Sequence, residues 1–197
     1  MLKKLIYLDN AATTPLSKNV LKKINSTYKN YWNNSSSTYK YGIKCAIFLE
    51  KIRLKIAEKF NAEPEDIIFT SGSSESTSIV FSNLDDKYKT GRVVISNVEH
   101  QATIISANKL KRKGWEIYEW KVNEDGMIDI SEIEQVLNKN TTLVSLIWGQ
   151  SEIGTLQPVQ FVGNKCNKMD ILFHIDGTQI PVSYTHLTLP VSYTHLT

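Results

Sequence analysis

Apolar residues fall along this chain in two alternating patterns. Short, largely apolar runs of four to eight alternate with longer stretches in which apolar side chains recur every three or four positions. The short runs are Ile67–Thr70, Arg92–Ser96, Trp115–Val122, Thr142–Trp148 and Ile171–Ile175, each ending in small, polar or turn-forming residues. They predict five buried strands. The periodic stretches predict helices. Ser17 caps one that carries Val20, Leu21, Ile24 and Tyr28. The polar loop Asn33–Thr38 follows, and a second helix has Ala46, Leu49, Ile52, Ile56 and Phe60 on one face. Thr77–Phe81 reads as helical, as does Ala102–Lys113, which Gly114 stops. A further helix opens at Ser131 and turns Ile133, Val136 and Leu137 inward, and a short one falls within 159–168. Strand and helix alternate and the strands are nearly continuous in apolar character. The fold class expected is therefore α/β, a mostly parallel sheet flanked by helices.

In such a sheet, ligands sit beyond the carboxyl ends of the strands. Three of the predicted strands end in distinctive polar groups. The first is Ser71-Gly72-Ser73-Ser74-Glu75-Ser76, a small-residue loop between strand and helix. Unpaired first-turn N–H groups and the helix dipole favour an anion there, and Ser73 and Ser74 add hydroxyls. A serine-rich helix cap explains the same letters, and no Gly-Lys-Ser/Thr follows to make it a Walker loop. The second is Asn97-Val98-Glu99-His100. The third is His174-Ile175-Asp176-Gly177-Thr178-Gln179. There a carboxylate can pair with a cationic ring nitrogen and an amide can reach a ring oxygen, or Asp176 can simply cap the next turn. Each motif is weak alone; their recurrence at one edge of a parallel sheet favours a ligand.

Composition narrows the classes. The chain has 197 residues, 41% hydrophobic and 22% charged, and a net charge of +3, too small to argue for nucleic acid or a membrane surface. Lys109, Lys111, Arg112 and Lys113 form the densest basic group and read as the solvated end of a helix. No apolar run approaches the ~18 residues of a membrane span, and Met1–Ile6 lacks the features of a signal peptide. Cys45 and Cys166 make no disulfide framework, which points to a reducing, cytoplasmic setting.

Five ordered motifs carry a resemblance. Tyr7-Leu8-Asp9-Asn10-Ala11-Ala12-Thr13-Thr14-Pro15, Phe69–Ser76, Glu99-His100-Gln101-Ala102, Glu152-Ile153-Gly154-Thr155-Leu156-Gln157-Pro158 and His174–Gln179 resemble the motif series of cysteine desulfurases. These are class V aminotransferase-type enzymes that use pyridoxal 5'-phosphate (PLP) on a fold type I large domain. The resemblance implies that Gly72, Ser73 and Ser74 hold the PLP phosphate and that His100, the catalytic-site histidine, stacks on the pyridine ring. It implies that Asp176 pairs with the protonated ring nitrogen and that Gln179 bonds the ring hydroxyl oxygen. It further implies L-cysteine as substrate, L-alanine and an enzyme persulfide as products, and a sulfur-acceptor protein as in iron–sulfur cluster assembly. A homodimer is implied too, with no nucleic acid, membrane or metal involved.

The departures are specific. The family's Asn-Asn before Glu-Ile-Gly is Gln150-Ser151 here, so the ring contact of the second Asn falls to the shorter Ser151. The phosphate-loop threonine is Ser74, and Gly-Asn-Pro-Ser-Ser-x-His appears as Asn33–Tyr39. Substrate preference is left open by these changes: a selenocysteine lyase or an aminotransferase of the same class is an alternative, and a non-catalytic α/β ligand-binding module is another.

Pro181–Thr188 is repeated letter for letter as Pro190–Thr197. Two uncharged copies continue no helix or core pattern, and their Val-Ser-Tyr-Thr-His-Leu resembles a translated sequencing adapter. The organisation expected is a partial PLP-transferase large domain over 1–180 and a non-native tail over 181–197. The family's Schiff-base lysine follows the Asp strand, whereas the last lysine here is Lys168. Neither Cys45 nor Cys166 matches the family's persulfide cysteine. The chain as given is expected to be inactive, and poorly soluble or partly unfolded where sheet strands lack neighbours.

Overall fold

In a computed structural model, residues 6–180 are described, and they divide into two compact units at Phe69/Thr70. The repeated tail expected to be non-native, residues 181–197, lies outside the described residues.

The first unit holds two helices. Helix α1 (Lys18–Asn30) starts where Ser17 Oγ accepts the Val20 N–H at 3.3 Å, as its sequence predicts. Helix α2 (Lys40–Phe60) ends at Asn61, whose left-handed backbone (φ 50°) closes the last turn. Tyr31, just past α1, stacks on Phe48 of α2 at 3.9 Å between ring centroids. Gly42 lets α2 approach the 34–37 loop: a Cβ there would lie 2.3 Å from the Ser37 carbonyl oxygen. The predicted stripe of α2 is half-buried rather than buried, and Val20, Leu21, Ile24 and Tyr28 of α1 are exposed.

Ile67–Thr70 corrects the sequence-based expectation. It forms no strand; Ile68 and Phe69 are exposed, and Arg53 bonds the Ile67 carbonyl and lies over the Phe69 ring. A strand exists only through its neighbours' hydrogen bonds, and no described strand pairs here.

The second unit is the sheet. Its strands are β1 (Arg92–Ser96), β2 (Glu116–Trp120), β3 (Thr141–Ile147) and β4 (Leu172–Asp176). All pairings among them are parallel, in the order β2-β1-β3-β4. Helices α3 (Ser73–Lys87), α4 (Gln101–Arg112), α5 (Ile133–Val136) and α6 (Val159–Lys168) complete the unit.

Side-chain alternation sorts the core onto two faces. Val93, Ile95 and Leu143 pack with Phe81 and Leu84 of α3 and Ala107 and Leu110 of α4. Val94, Val144, Leu146, Phe173 and Ile175 pack with Val136, Val162 and Cys166 from α5 and α6. The mostly parallel, helix-flanked sheet expected from the sequence is thus what forms, with four strands instead of five.

Candidate functional site

Because the strands are parallel, their carboxyl ends and the starts of α3 and α4 share one edge of the sheet unit. Helix α3 begins at Ser73, a turn earlier than its apolar pattern predicts, so Ser73 and Ser74 are first-turn residues. Gly72 is the N-cap, and a Cβ built on it would meet no atom within 4 Å. Glu75 Oε2 accepts the Ser71 N–H at 2.6 Å, while Glu75 and Ser76 N–H donate to the Gly72 carbonyl at 3.1 and 3.2 Å. Those bonds from Ser71 hold the exposed Glu75 carboxyl below its usual range. Among the described residues, none accepts from the N–H groups of Gly72, Ser73 or Ser74. Three unengaged donors, an open cradle and a 15-residue helix dipole converge there.

His100 is the N-cap of α4; its Nδ1 accepts the Ala102 N–H at 3.2 Å, which fixes the ring, and the side chain is exposed. Asp176 ends β4 and is buried. Its Oδ1 accepts both the N–H and the hydroxyl of Thr178, at 3.0 and 2.5 Å. The turn-capping alternative therefore accounts for Oδ1, whereas Oδ2 accepts from no described residue. Alternation puts Asp176 on the same face as His174, whose ring meets Phe81 of α3 edge-on at 6.2 Å and bonds Ser145 Oγ at 2.7 Å. Asp176 thus points to the face that α3 and α4 cover. Gln179 is half-buried in the turn after β4.

Ser151 is half-buried in the loop after β3. The geometry of that loop comes from Gln150, whose Oε1 accepts the N–H groups of Glu152 and Ile153 at 2.6 and 2.9 Å. Gln157 then anchors it by accepting the Ile128 N–H at 3.0 Å and donating to the Gly126 carbonyl at 2.7 Å. Asp9–Pro15 and Asn33–Tyr39 belong to the first unit. Asp9 Oδ1 accepts the Ala12 N–H at 3.3 Å there.

Glu99 was not singled out by its sequence context. It is buried beside the same edge, and burial pushes its carboxyl up to about 8 against the lowering bonds from Ser96 and Ile147, with the Asp176 charge adding to the rise. The sequence signals were its place in the Glu99-His100-Gln101-Ala102 motif and an acidic residue inside a strand-to-helix turn, neither of which gave it a role. Among the described residues no group of acidic, histidine and cysteine side chains could hold a metal.

The family model described as Aminotransferase class-V matches residues 6–191. A cysteine desulfurase IscS of Neisseria meningitidis is 36% identical over 177 residues, 88% of this chain and 44% of that protein. The mitochondrial cysteine desulfurase of Saccharomyces cerevisiae is 35% identical over 88% of this chain and 36% of its own length. Among solved structures, a NifS-like protein superposes with a TM-score of 0.83 at 28% identity, covering 87% of this chain and 48% of that one. DndA from Streptomyces lividans gives a TM-score of 0.77 at 29% identity, over 89% and 50%. The chain spans less than half the length of the curated relatives it matches.

Proposed function

We propose, because this chain belongs to the class-V aminotransferase family, that it is the cofactor-shaping part of a PLP-dependent cysteine desulfurase. The observation that carries the reading is the pairing of unengaged donors with an uncommitted carboxylate oxygen at one sheet edge. Gly72, Ser73 and Ser74 offer N–H groups to an anion, and the buried Asp176 offers Oδ2 to a cation. A phosphorylated pyridinium has both charges, so the residues present fit it.

When bound, PLP supplies an electron sink for negative charge at the substrate's Cα, provided its ring nitrogen stays protonated. Asp176 would hold that proton, as a buried carboxylate favours the cationic form of its partner. Ser73 and Ser74 would hold the phosphate through N–H and hydroxyl groups. His100, its ring fixed by Ala102, would lie against the ring face, while Gln179 and Ser151 would address the ring substituents. L-cysteine as substrate, a protein acceptor for its sulfur and a homodimeric whole enzyme belong to the same reading, supported by the relatives named cysteine desulfurase.

The 197 residues contain no lysine after Lys168, and both cysteines are buried. This chain alone is therefore expected to bind PLP without turnover. The test is a PLP titration followed by absorbance and tryptophan fluorescence. Saturable binding that Asp176→Ala weakens about tenfold or more supports the site; no saturable binding rejects it. With the sequence beyond the Asp strand restored, alanine from L-cysteine, with the persulfide sulfur released as sulfide by an added dithiol reductant, supports the activity. Selenide from selenocysteine without sulfide from cysteine would replace it with a selenocysteine lyase.

A further inference from the structure

Glu99 takes no part in the cofactor contacts proposed above, yet its carboxyl group bridges the two strand ends next to His100 and Asp176. It lies in the turn from β1 into α4. Its Oε1 accepts the Ser96 hydroxyl at 2.5 Å and the Ile147 N–H at 2.8 Å. Ser96 ends β1, Ile147 ends β3, and Ile147 is the register partner of Asp176 on β4. One oxygen thus links the turn that carries His100 to the strand end against which Asp176 is aligned. The other oxygen, Oε2, is buried with no described hydrogen-bond partner, and among the described residues no Lys or Arg forms an ion pair with either.

A buried carboxylate with one bare oxygen and no counter-ion is costly. The protonated form is not: Oε1 still accepts both bonds while Oε2 carries the hydrogen. We propose that Glu99 is a positioning residue of this site, a neutral clamp that aligns His100 and Asp176 and leaves the negative charge at the strand ends to Asp176. This rests on the cofactor reading of the preceding subsection.

The surrounding charges agree. Burial, and then the nearby Asp176, push the Glu99 proton toward retention. The other titratable groups on the elements packed here are engaged or distant. On β4 the buried His174 bonds Ser145 Oγ at 2.7 Å. Helix α4 brings His100 at its start and Lys109, Lys111 and Arg112 only in its last turn. Strand β3 carries none, and Arg92 sits at the far end of β1, paired with Glu116 of β2 at 3.0 Å. On α3, Glu75 is turned to the Ser71 N–H.

The test uses the full chain and its Glu99→Gln and Glu99→Ala forms. In carboxyl-carbon NMR, the resonance absent from E99Q is expected to titrate near 8. A titration in the ordinary carboxylate range overturns the proposal. In PLP titrations, E99A is expected to bind about tenfold more weakly, and E99Q to recover most of that loss. Gln supplies both an acceptor and a neutral donor in the same shape, so E99Q binding as poorly as E99A also overturns it. Should circular dichroism show E99A unfolded, Glu99→Asp takes its place, keeping the carboxyl group without the reach to Ile147. If the unsubstituted chain binds no PLP, the cofactor reading falls and the positioning role with it, whereas a titration in the ordinary range with PLP bound overturns the neutral clamp alone.

Discussion

At Glu99, one proton is linked to the stability of the whole sheet unit. Its carboxyl goes from an ordinary 4.5 to about 8 on folding, so between those values the native state binds more protons than the unfolded state. The contribution is fully present below about pH 4.5, is lost as pH rises through 8 and is constant above it. Urea denaturation of the chain is expected to show stability falling by up to about 1.4 kcal/mol per pH unit across this window, and E99Q is expected to remove that slope. Cys166 makes a second residue-scale prediction. Burial pushes its thiol up to about 12, so iodoacetamide at pH 8 is expected to leave it unmodified in folded chain and to label it in urea. Asp176 and the Gly72–Ser74 donors were legible in the sequence because their chemistry is local: a small-residue turn or a polar group at a strand end. Glu99 was not. One of its partners is a backbone N–H 48 residues downstream, and nothing in its own neighbourhood reports that.

At the scale of elements, the helices were more legible than the strands. Ser17 and Gly114 mark ends by side-chain or backbone chemistry carried within a few residues. Ile67–Thr70 has the composition of a strand and forms none, because β structure needs a partner that helices supply internally. The start of α3 was misplaced by a turn for a related reason: its first residues are serines, which reveal a helix only through the N–H groups they leave open. Gly42 allows a test of element packing. Its missing Cβ is what admits the Ser37 backbone, so Gly42→Ala is expected to destabilise the α2 start by about 1–3 kcal/mol. Hydrogen exchange at the first-turn amides of α2 would read the change, with amides of β1 and β3 as the unaffected reference.

At the scale of the molecule, apolar surface is left uncovered. In the first unit Val20, Leu21, Ile24, Tyr28, Trp32 and Ile68 are exposed, the last at 72%. In the sheet unit β4 is an outer strand that is nonetheless buried along most of its length. The 197-residue chain is therefore expected to bind an apolar dye and to melt broadly; a sharp cooperative melt of dye-free soluble monomer would contradict this. Hydrophobic periodicity alone determined that the chain is α/β, that its sheet is mostly parallel and that polar residues gather beyond its strand ends. Periodicity is a property of neighbouring residues, so the chain carries it openly. Only the tertiary structure decided which apolar run became a strand, which oxygen of Asp176 remained uncommitted and which carboxyl group took up the Ile147 N–H. Those depend on hydrogen bonds and burial between residues far apart in sequence, and they exist only once the strands lie side by side.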